Sequence, residues 1–456
     1  MAPVGEFAAV DEQRFRGFHW RTVVTTGLGV FCDGYDLSSL GLVLPLVLSS
    51  FGIAKVSGIE AALLAASALA GAAIGALGFG VLGQWGRKRF YGLDVLILGL
   101  AALAQAFVPN IGWLIAVRFV LGLGTGADYV LSPLIMAEHA NRADRGRALG
   151  LGFGTMWPLG ALVAALFKLT LDGLGVAPDL QWRIVLAAGA VPAFAVLYLR
   201  RRMPETARYL ARLAGDPKQA VAVMREISGA DVAEPAFDSR PFGQVFARHA
   251  RMIFSVALLW MVYDLVVYAG ILFGPSLIAK GLSLGPVTFT LLIELIFVLP
   301  ASVLMSIFLI DRMGRKPLQV WGFAASAVLL VIFTVLRAKL LALPLLAFAV
   351  YGLFNVTQTG PGLVSGAGIL GVELAPTRVR SVAQGVTVAG GRIGAAVSGF
   401  AFPLLFAGIG EGRSFLILAA LALAGAVLTH FLIPETSRVS LEELTQDVPV
   451  PQPGVP

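Results

Sequence analysis

Eight ionisable residues lie inside apolar stretches of this 456-residue chain: Asp33, Asp36, Asp94, Arg118, Asp128, Asp264, Glu294 and Arg392. Side chains of these types in such places bind and release protons and hold small charged solutes. A carboxylate loads and unloads a proton within a cycle when its surroundings bring its two protonation states close in free energy. A guanidinium holds an anion through its planar fork, and Arg392 is the deep cation suited to that task. Asp264 stands between Trp260 and Tyr268 at four-residue spacing, one stripe of a helix. On its own that stripe reads as packing before it reads as a site, and the acid at its centre keeps the second reading open. Each charge costs about 2.5–3.5 kcal/mol at a helix centre in lipid. Several left unpaired would cost on the order of 15–25 kcal/mol, more than the net stability of a typical fold. They must therefore face a protein interior or a wet cavity.

The elements that position them follow from composition. The chain is 57% hydrophobic and 13% charged, with a mean hydropathy of +0.84, whereas soluble domains carry about 25% charged residues. Too little polar material remains to cover a water-facing surface, so lipid must be the main solvent. The 53 glycines suit close approach of membrane helices. The one cysteine, Cys32, cannot form a disulfide framework. Residues 1–20 carry Glu6, Asp11, Glu12, Arg14 and Arg16 and do not read as a cleaved signal peptide. Apolar runs long enough to cross a ~30 Å hydrocarbon core occur near 21–48, 60–82, 90–107, 111–137, 147–170, 182–199, 253–278, 287–310, 319–336, 341–372, 381–409 and 414–433. The tenth is long and Gly-rich, which predicts a broken or tilted helix.

Of the 34 Lys and Arg residues, 25 fall on one side of this path, 7 on the other, and Arg118 and Arg392 lie within spans. The seven are Lys55, Lys168, Arg183, Lys280, Arg337, Lys339 and Arg413. Positive residues stay cytoplasmic, so both termini and the middle linker are expected inside. The basic balance is then topology, and no nucleic-acid partner is expected. The halves also repeat. Gly86-Arg87-Lys88 recurs as Gly314-Arg315-Lys316, Glu138 with Arg145 recurs as Glu373 with Arg380, and Pro204-Glu205-Thr206 recurs as Pro434-Glu435-Thr436. Asp33 and Asp264 correspond at a similar offset, and both fall near the midplane at a ~1.5 Å rise per residue. Two six-helix bundles related by an axis along the membrane normal follow. The expected organisation is an N-terminal segment 1–20, a first bundle 21–202, a linker 203–250, a second bundle 251–435 and a tail 436–456. Short amphipathic helices are predicted over 205–227, and the linker charges read as a solvated helix face.

Asp311-Arg312-Met313-Gly314-Arg315-Lys316 resembles the loop hallmark of the major facilitator superfamily, and the two Pro-Glu-Thr motifs resemble its sugar-porter branch. Within the superfamily, Gly126-Ala127-Asp128-Tyr129-Val130-Leu131-Ser132-Pro133 is similar to the helix-4 signature of phosphate:proton symporters. Asp33-Gly34-Tyr35-Asp36-Leu37, the stretch from Gly86 to Asp94, and Trp260, Asp264 and Tyr268 resemble their helices 1, 3 and 7. The resemblance implies an all-α membrane protein with the major facilitator fold, twelve transmembrane helices in two six-helix bundles and both termini cytoplasmic. It implies proton coupling through Asp33, Asp264, Asp36 and Asp94. A substrate cavity of Asp128, Tyr129, Trp260, Tyr268 and Arg392 follows, with Trp157 in space the family uses for polar contact. Asp311, Arg312, Arg315, Glu138, Arg145, Glu373 and Arg380 read as cytoplasmic latches. The chain departs from the family where a helix-5 Gln gives way to Met156-Trp157-Pro158, where Gly360-Pro361-Gly362 replaces Gly-Pro-Asn, and where Gly83-Gln84-Trp85-Gly86 lacks the loop Asp.

Some roles stay open at this level. Arg118 reads as a structural partner of a carboxylate, Asp94 as a gate salt bridge or a relay step, and Glu294 as structural or coupling. The expected function is secondary transport, with proton-coupled symport of a small anion (phosphate, a related oxyanion or a carboxylate) ahead of sugar or metabolite symport and of export of cationic or lipophilic compounds. A nutrient receptor on the same fold would bind without flux. No phosphate-cradling G-x4-G-K-[S/T] loop, H-E-x-x-H or G-x-S-x-G motif is present, so neither an ATP-driven pump nor a hydrolase is expected. The remaining expectations are a monomer in the plasma membrane (cell inner membrane), no cofactor or metal, and partners limited to substrate, protons and lipid.

Overall fold

The computed structural model describes residues 6–53, 59–273 and 278–446, without the side chains of 271–273 and 280. Lys55, the Lys280 side chain and the tail beyond 446, all used in the expectations above, lie outside the described residues. Eleven helices among the described residues are long and apolar enough to cross a membrane. They are α1 (Gly17–Ser50), α2 (Ile59–Trp85), α3 (Arg87–Phe107), α4 (Ile111–His139), α5 (Arg145–Gly173), α6 (Pro178–Arg201), α7 (Phe242–Gly270), α8 (Pro286–Leu309), α9 (Arg315–Val335), α11 (Arg380–Ile409) and α12 (Glu411–Leu432). The tenth segment is broken as its glycines predict. α10 runs Pro344–Pro361, and a π turn over Gly362–Gly366 separates it from a short helix Ile369–Glu373. The helices start where local chemistry favours it: α6, α8 and α10 open on Pro178, Pro286 and Pro344. Asn110 caps α4 by accepting from the Trp113 amide at 3.1 Å. α7 begins at Phe242, so the end of the expected linker is already helical.

Within the first half α2 packs along α4, and α1 along α5. The α2–α4 contact is made by glycines. A Cβ at Gly126 would strike the carbonyl of Ala72, one at Gly122 that of Ala68, and Gly71 and Gly75 press on the Phe119 and Leu123 carbonyls. This is the small-residue packing that brings membrane helices close. In the second half α7 packs on α11, and α9 on α12 and α10. The halves meet along two seams, α2 with α11 and α5 with α8, which are equivalent under the repeat.

The Lys/Arg-rich face is tied by paired devices. Each Pro-Glu-Thr motif places its Glu at the start of a helix, where free amides favour an anion. Glu205 accepts from the Lys88 amide at 3.0 Å, and Glu435 from those of Arg315 and Lys316 at 3.0 and 3.1 Å. The Thr of each motif donates 2.5 Å bonds, Thr206 to Glu138 and Thr436 to Glu373. Glu138 meets Arg380 of the other half at 3.0 Å and Arg87 of its own at 3.5 Å. Glu373 meets Arg145 of the other half at 2.7 Å and Arg315 of its own at 3.0 Å. Asp311 accepts from the Gly146 and Arg147 amides at 3.1 and 2.6 Å. The repeat has no such carboxylate on the first half: Gly83 lies against Ser381 there, and Gln84 donates to its hydroxyl at 2.7 Å. Arg312, expected in this network, instead points out over the Phe308 ring at 6.0 Å, because it stands on the solvated side of the turn.

Short amphipathic helices form in the linker as predicted and pack on the N-terminal segment, but its charges are not all a solvated face, since Arg208, Arg212 and Asp238 are buried. Helix Pro217–Ser228 buries Ala220, Met224 and Ile227 against Phe7, Val10, Leu210 and Ala211. Arg208 joins three remote segments: it donates to Asp11 at 2.7 Å, to Glu442 at 2.8 Å and to the Glu138 carbonyl at 2.8 Å. Its charge holds the Glu442 carboxyl down at about 2, while burial lifts Asp11 above the ordinary carboxylate range.

Candidate functional site

Between the halves lies a cavity of about 140 Å³. Its walls come from α1, α4, α5, α7, α8, α10 and α11, and the helices open around it. π turns interrupt α5 at Gly150–Thr155, α8 at Glu294–Val298 and the end of α10 at Gly362–Gly366. Such turns collect at functional sites; here Gly154, Glu294, Val298, Gly362, Leu363 and Gly366 line the space. Helix 5 therefore opens before Met156-Trp157-Pro158, and Trp157 lines the cavity as expected.

Arg392 organises the polar side. Its guanidinium donates to the Tyr268 hydroxyl at 3.0 Å and lies 3.8 Å from Asp264. It stacks over Tyr129 at 4.5 Å and over Trp260 at 5.8 Å. Tyr129 belongs to the first half, so the cation reaches across the interface. Gln384 reaches the same way, donating to the Tyr129 carbonyl at 3.1 Å. At 3.8 Å the Arg392–Asp264 contact is longer than a hydrogen bond, and Asp264 Oδ2 is buried with no hydrogen-bond partner. The pair is loose, with room for a third party.

The structure thus brings Tyr129, Trp157, Asp264, Tyr268 and Arg392 together on the cavity, with Trp260 fully buried behind them. The other expected residues lie elsewhere. Asp33 is fully buried with neither oxygen hydrogen-bonded, one turn from the cavity-lining Val30. Asp36 is buried without a hydrogen bond in the field of Arg118, which donates to Gln105 at 3.1 Å. Asp128, expected among the cavity residues, turns inside the first bundle. There Arg200 forks between it, at 2.5 Å, and Asp94, while Ser132 donates to Asp128 at 2.5 Å. The Arg200 guanidinium lies 4.1 Å over the Tyr91 ring. Arg200, which ends an apolar run and reads from sequence as one of the 25 basic residues on one side, is instead fully buried, drawn in by two carboxylates on other helices.

Sequence reasoning gave no role to Gln358 and Asn355, although both were visible as rare amides within spans. Both line the cavity, and neither amide atom of the buried Gln358 has a partner. Gln358 stands four residues before Gly362, on the face from which the family's Asn is missing. Thr155 and Ser302 meet at 3.2 Å across the α5–α8 seam, a contact with no sequence signal. Among the described residues no cluster of His, Cys, Asp and Glu could hold a metal ion.

Comparison with known proteins agrees with this architecture. The chain matches the sugar (and other) transporter family over residues 22–448. It is 31% identical to the probable inorganic phosphate transporter 1-6 of Arabidopsis thaliana, over 96% of this chain and 95% of the relative. It is also 31% identical to the inorganic phosphate transporter 1-6 of Oryza sativa subsp. japonica, over 98% of this chain and 96% of the relative. Among solved structures it is similar in fold to the proton:xylose symporter XylE of E. coli bound to 6-bromo-6-deoxy-D-glucose. That match has a TM-score of 0.79 at 20% identity and covers 94% of this chain and 98% of that one. A family match along almost the whole chain places this protein in the sugar (and other) transporter family, and its all-helical architecture has the major facilitator fold.

Proposed function

We propose that this transporter is a proton-coupled symporter of a small anion, inorganic phosphate or a related oxyanion or carboxylate, working by alternating access around the Arg392 cavity. The observation that carries the reading is the loose Arg392–Asp264 pair. While Asp264 is ionised, it offsets the guanidinium and weakens its hold on an anion. A proton on Asp264 removes that competition, so proton and anion each favour the other's binding, and such coupling is reciprocal. The cavity size fits: about 140 Å³ is room for roughly five water-sized groups, well below the ~300–1,000 Å³ of sites for larger ligands. That favours a small oxyanion over a lipophilic export substrate. The similarity to inorganic phosphate transporters points the same way.

Asp33 is the second coupling group in this reading, with Asp128, Arg200 and Asp94 continuing from it through the first bundle toward the Lys/Arg-rich face. That face is cytoplasmic by the charge asymmetry, so both termini lie inside, and the protein acts as a monomer in the plasma membrane. Gln358 supplies an amide where the helix-5 Gln and helix-10 Asn are missing. A second reading, symport of a sugar or another neutral metabolite, draws on Gln358 and Asn355 in the cavity wall and on the XylE-like fold.

The test is uptake of radiolabelled phosphate into proteoliposomes under an imposed inward proton gradient, comparing wild type with Asp264→Asn. Gradient-driven uptake that the substitution abolishes supports the reading. Folded protein without phosphate uptake sinks the phosphate assignment, and carboxylates and sugars are then screened on the same vesicles.

A further inference from the structure

Glu294 is a carboxylate without an assigned task. It lines the cavity from α8, and its Oε2 is buried with no hydrogen-bond partner. It opens the π turn Glu294–Val298, where the α8 backbone departs from regular helix. A structural carboxylate in a membrane protein is held by a cation or by donors. Glu138, Glu373, Asp94 and Asp128 all follow that rule here. Glu294 does not: among the described residues lining the cavity, Arg392 is the one cation, and it is engaged with Asp264 and Tyr268. The same wall carries Gln358, 2% exposed, with both amide atoms unpartnered. One wall of the cavity thus offers a cation and a phenol, and another offers a carboxylate and an amide with unpartnered atoms.

An occupant that satisfies both walls must have negative oxygens at one edge and a hydrogen-bond donor at another. We propose that Glu294 is the specificity residue of this transporter: with Gln358 it accepts a hydrogen bond from a hydroxyl of the anion held by Arg392, so that proton-bearing anions are admitted and fully ionised ones of the same shape are refused. This rests on the anion reading above and deepens it. Dihydrogen phosphate carries such a hydroxyl, and so does a hydroxy acid; sulfate at neutral pH has only acceptors. Sulfate would set its oxygens against a carboxylate and leave the donor-seeking group unpaired. Sites built around a substrate hydroxyl reject analogues lacking it far more strongly than apolar pockets reject a missing methylene.

The test is binding of radiolabelled inorganic phosphate to the purified full chain at neutral pH, with unlabelled phosphate or sulfate as competitor. The readout is the ratio of the two competition constants. In wild type, sulfate competes more weakly by about 10- to 150-fold, the worth of one hydrogen bond to a charged group. Glu294→Gln, which gains donors, and Glu294→Met, which loses the acceptor, both bring the ratio close to one. Glu294→Met also unfolds at a higher temperature than wild type, because it removes an unpaired intramembrane carboxylate, whereas loss of a structural group would lower that temperature. Either folded variant with the wild-type ratio overturns the inference and leaves phosphate transport standing. Wild-type protein that binds no phosphate overturns both.

Discussion

Substituting Arg145 by Ala removes the guanidinium that spans the two halves at Glu373. Arg145 donates to Glu373 at 2.7 Å and to the Val439 carbonyl at 2.9 Å, and both side chains of the pair are fully buried. Breaking a buried pair outright costs about 3–5 kcal/mol. Glu373 nevertheless keeps Arg315 at 3.0 Å and the Thr436 hydroxyl at 2.5 Å, so its charge stays compensated. What is lost is the interaction between halves: the hydrogen bond to the charged Glu373, worth about 1.5–3 kcal/mol, and with it the bond to the Val439 carbonyl. Because Arg315 and Thr436 lie in the same half as Glu373, the loss falls on the closed arrangement of this face and not on the bundle itself. The closed-to-open ratio should drop by roughly 10- to 150-fold. Spin labels at the exposed Arg89 and Arg312, in the two Gly-Arg-Lys loops, would report it by electron–electron distance measurement in a Cys32→Ser background. Wild type should give one dominant short distance, and Arg145→Ala a broadened distribution with a longer component. Arg145→Ala combined with Glu373→Gln should open the face little further than the first change alone, since both remove the same contact. An unchanged distribution in folded Arg145→Ala protein would refute the latch reasoning.

Two further outcomes follow from other charged clusters. Arg200→Met leaves Asp94 and Asp128 buried without a cation, and should cost about 3–5 kcal/mol; adding Asp128→Asn should recover part of it in thermal unfolding of the detergent-solubilised protein, and no loss in the single variant would contradict the clamp. At the linker, Arg208 depresses the Glu442 carboxyl from 4.5 to about 2, worth about 3 kcal/mol at 1.36 kcal/mol per pH unit. A depressed acid stabilises above its unfolded pKa and loses that contribution as pH falls through its folded one. The stability gap between wild type and Glu442→Gln should therefore be full at neutral pH and shrink between about pH 4.5 and 2; a gap flat across that window would show that the ion pair contributes nothing.

What the sequence disclosed depended on whether a residue's role is written along one helix or assembled from several. The stripe Trp260, Asp264 and Tyr268 is local, and the structure keeps Asp264 and Tyr268 on the cavity with Trp260 buried behind them. The pairing of Glu138 and Glu373 with arginines was legible because the repeat carries the acid twice, each time with its arginine. Arg200 was not legible: at the end of a hydrophobic run it looks like a loop cation, and its burial depends on Asp94 and Asp128 from two other helices. Asp128 was misplaced for the same reason. Its neighbour Tyr129 faces the cavity, but a one-residue step turns a helical side chain by about 100°, here toward Arg200. The π turns that open α5, α8 and α10 leave no compositional mark beyond scattered glycines, so Glu294 and Gln358 could not be assigned to one wall before the helices were in place.

The junction at Arg208 also has a temporal meaning. Arg208 and Glu442 are 234 residues apart in the chain, and at about 5–20 residues per second of synthesis roughly 12–47 seconds separate their appearance. Through that interval the first bundle and linker carry a guanidinium that only Asp11 and a backbone carbonyl can occupy. The helix Leu441–Thr445 delivers the missing carboxylate from a capped start at Ser440. The segment that follows the second bundle is thus the one that fastens the stretch before the first bundle and the linker to itself, so a chain that stops short of Glu442 carries both bundles but leaves the fastening undone.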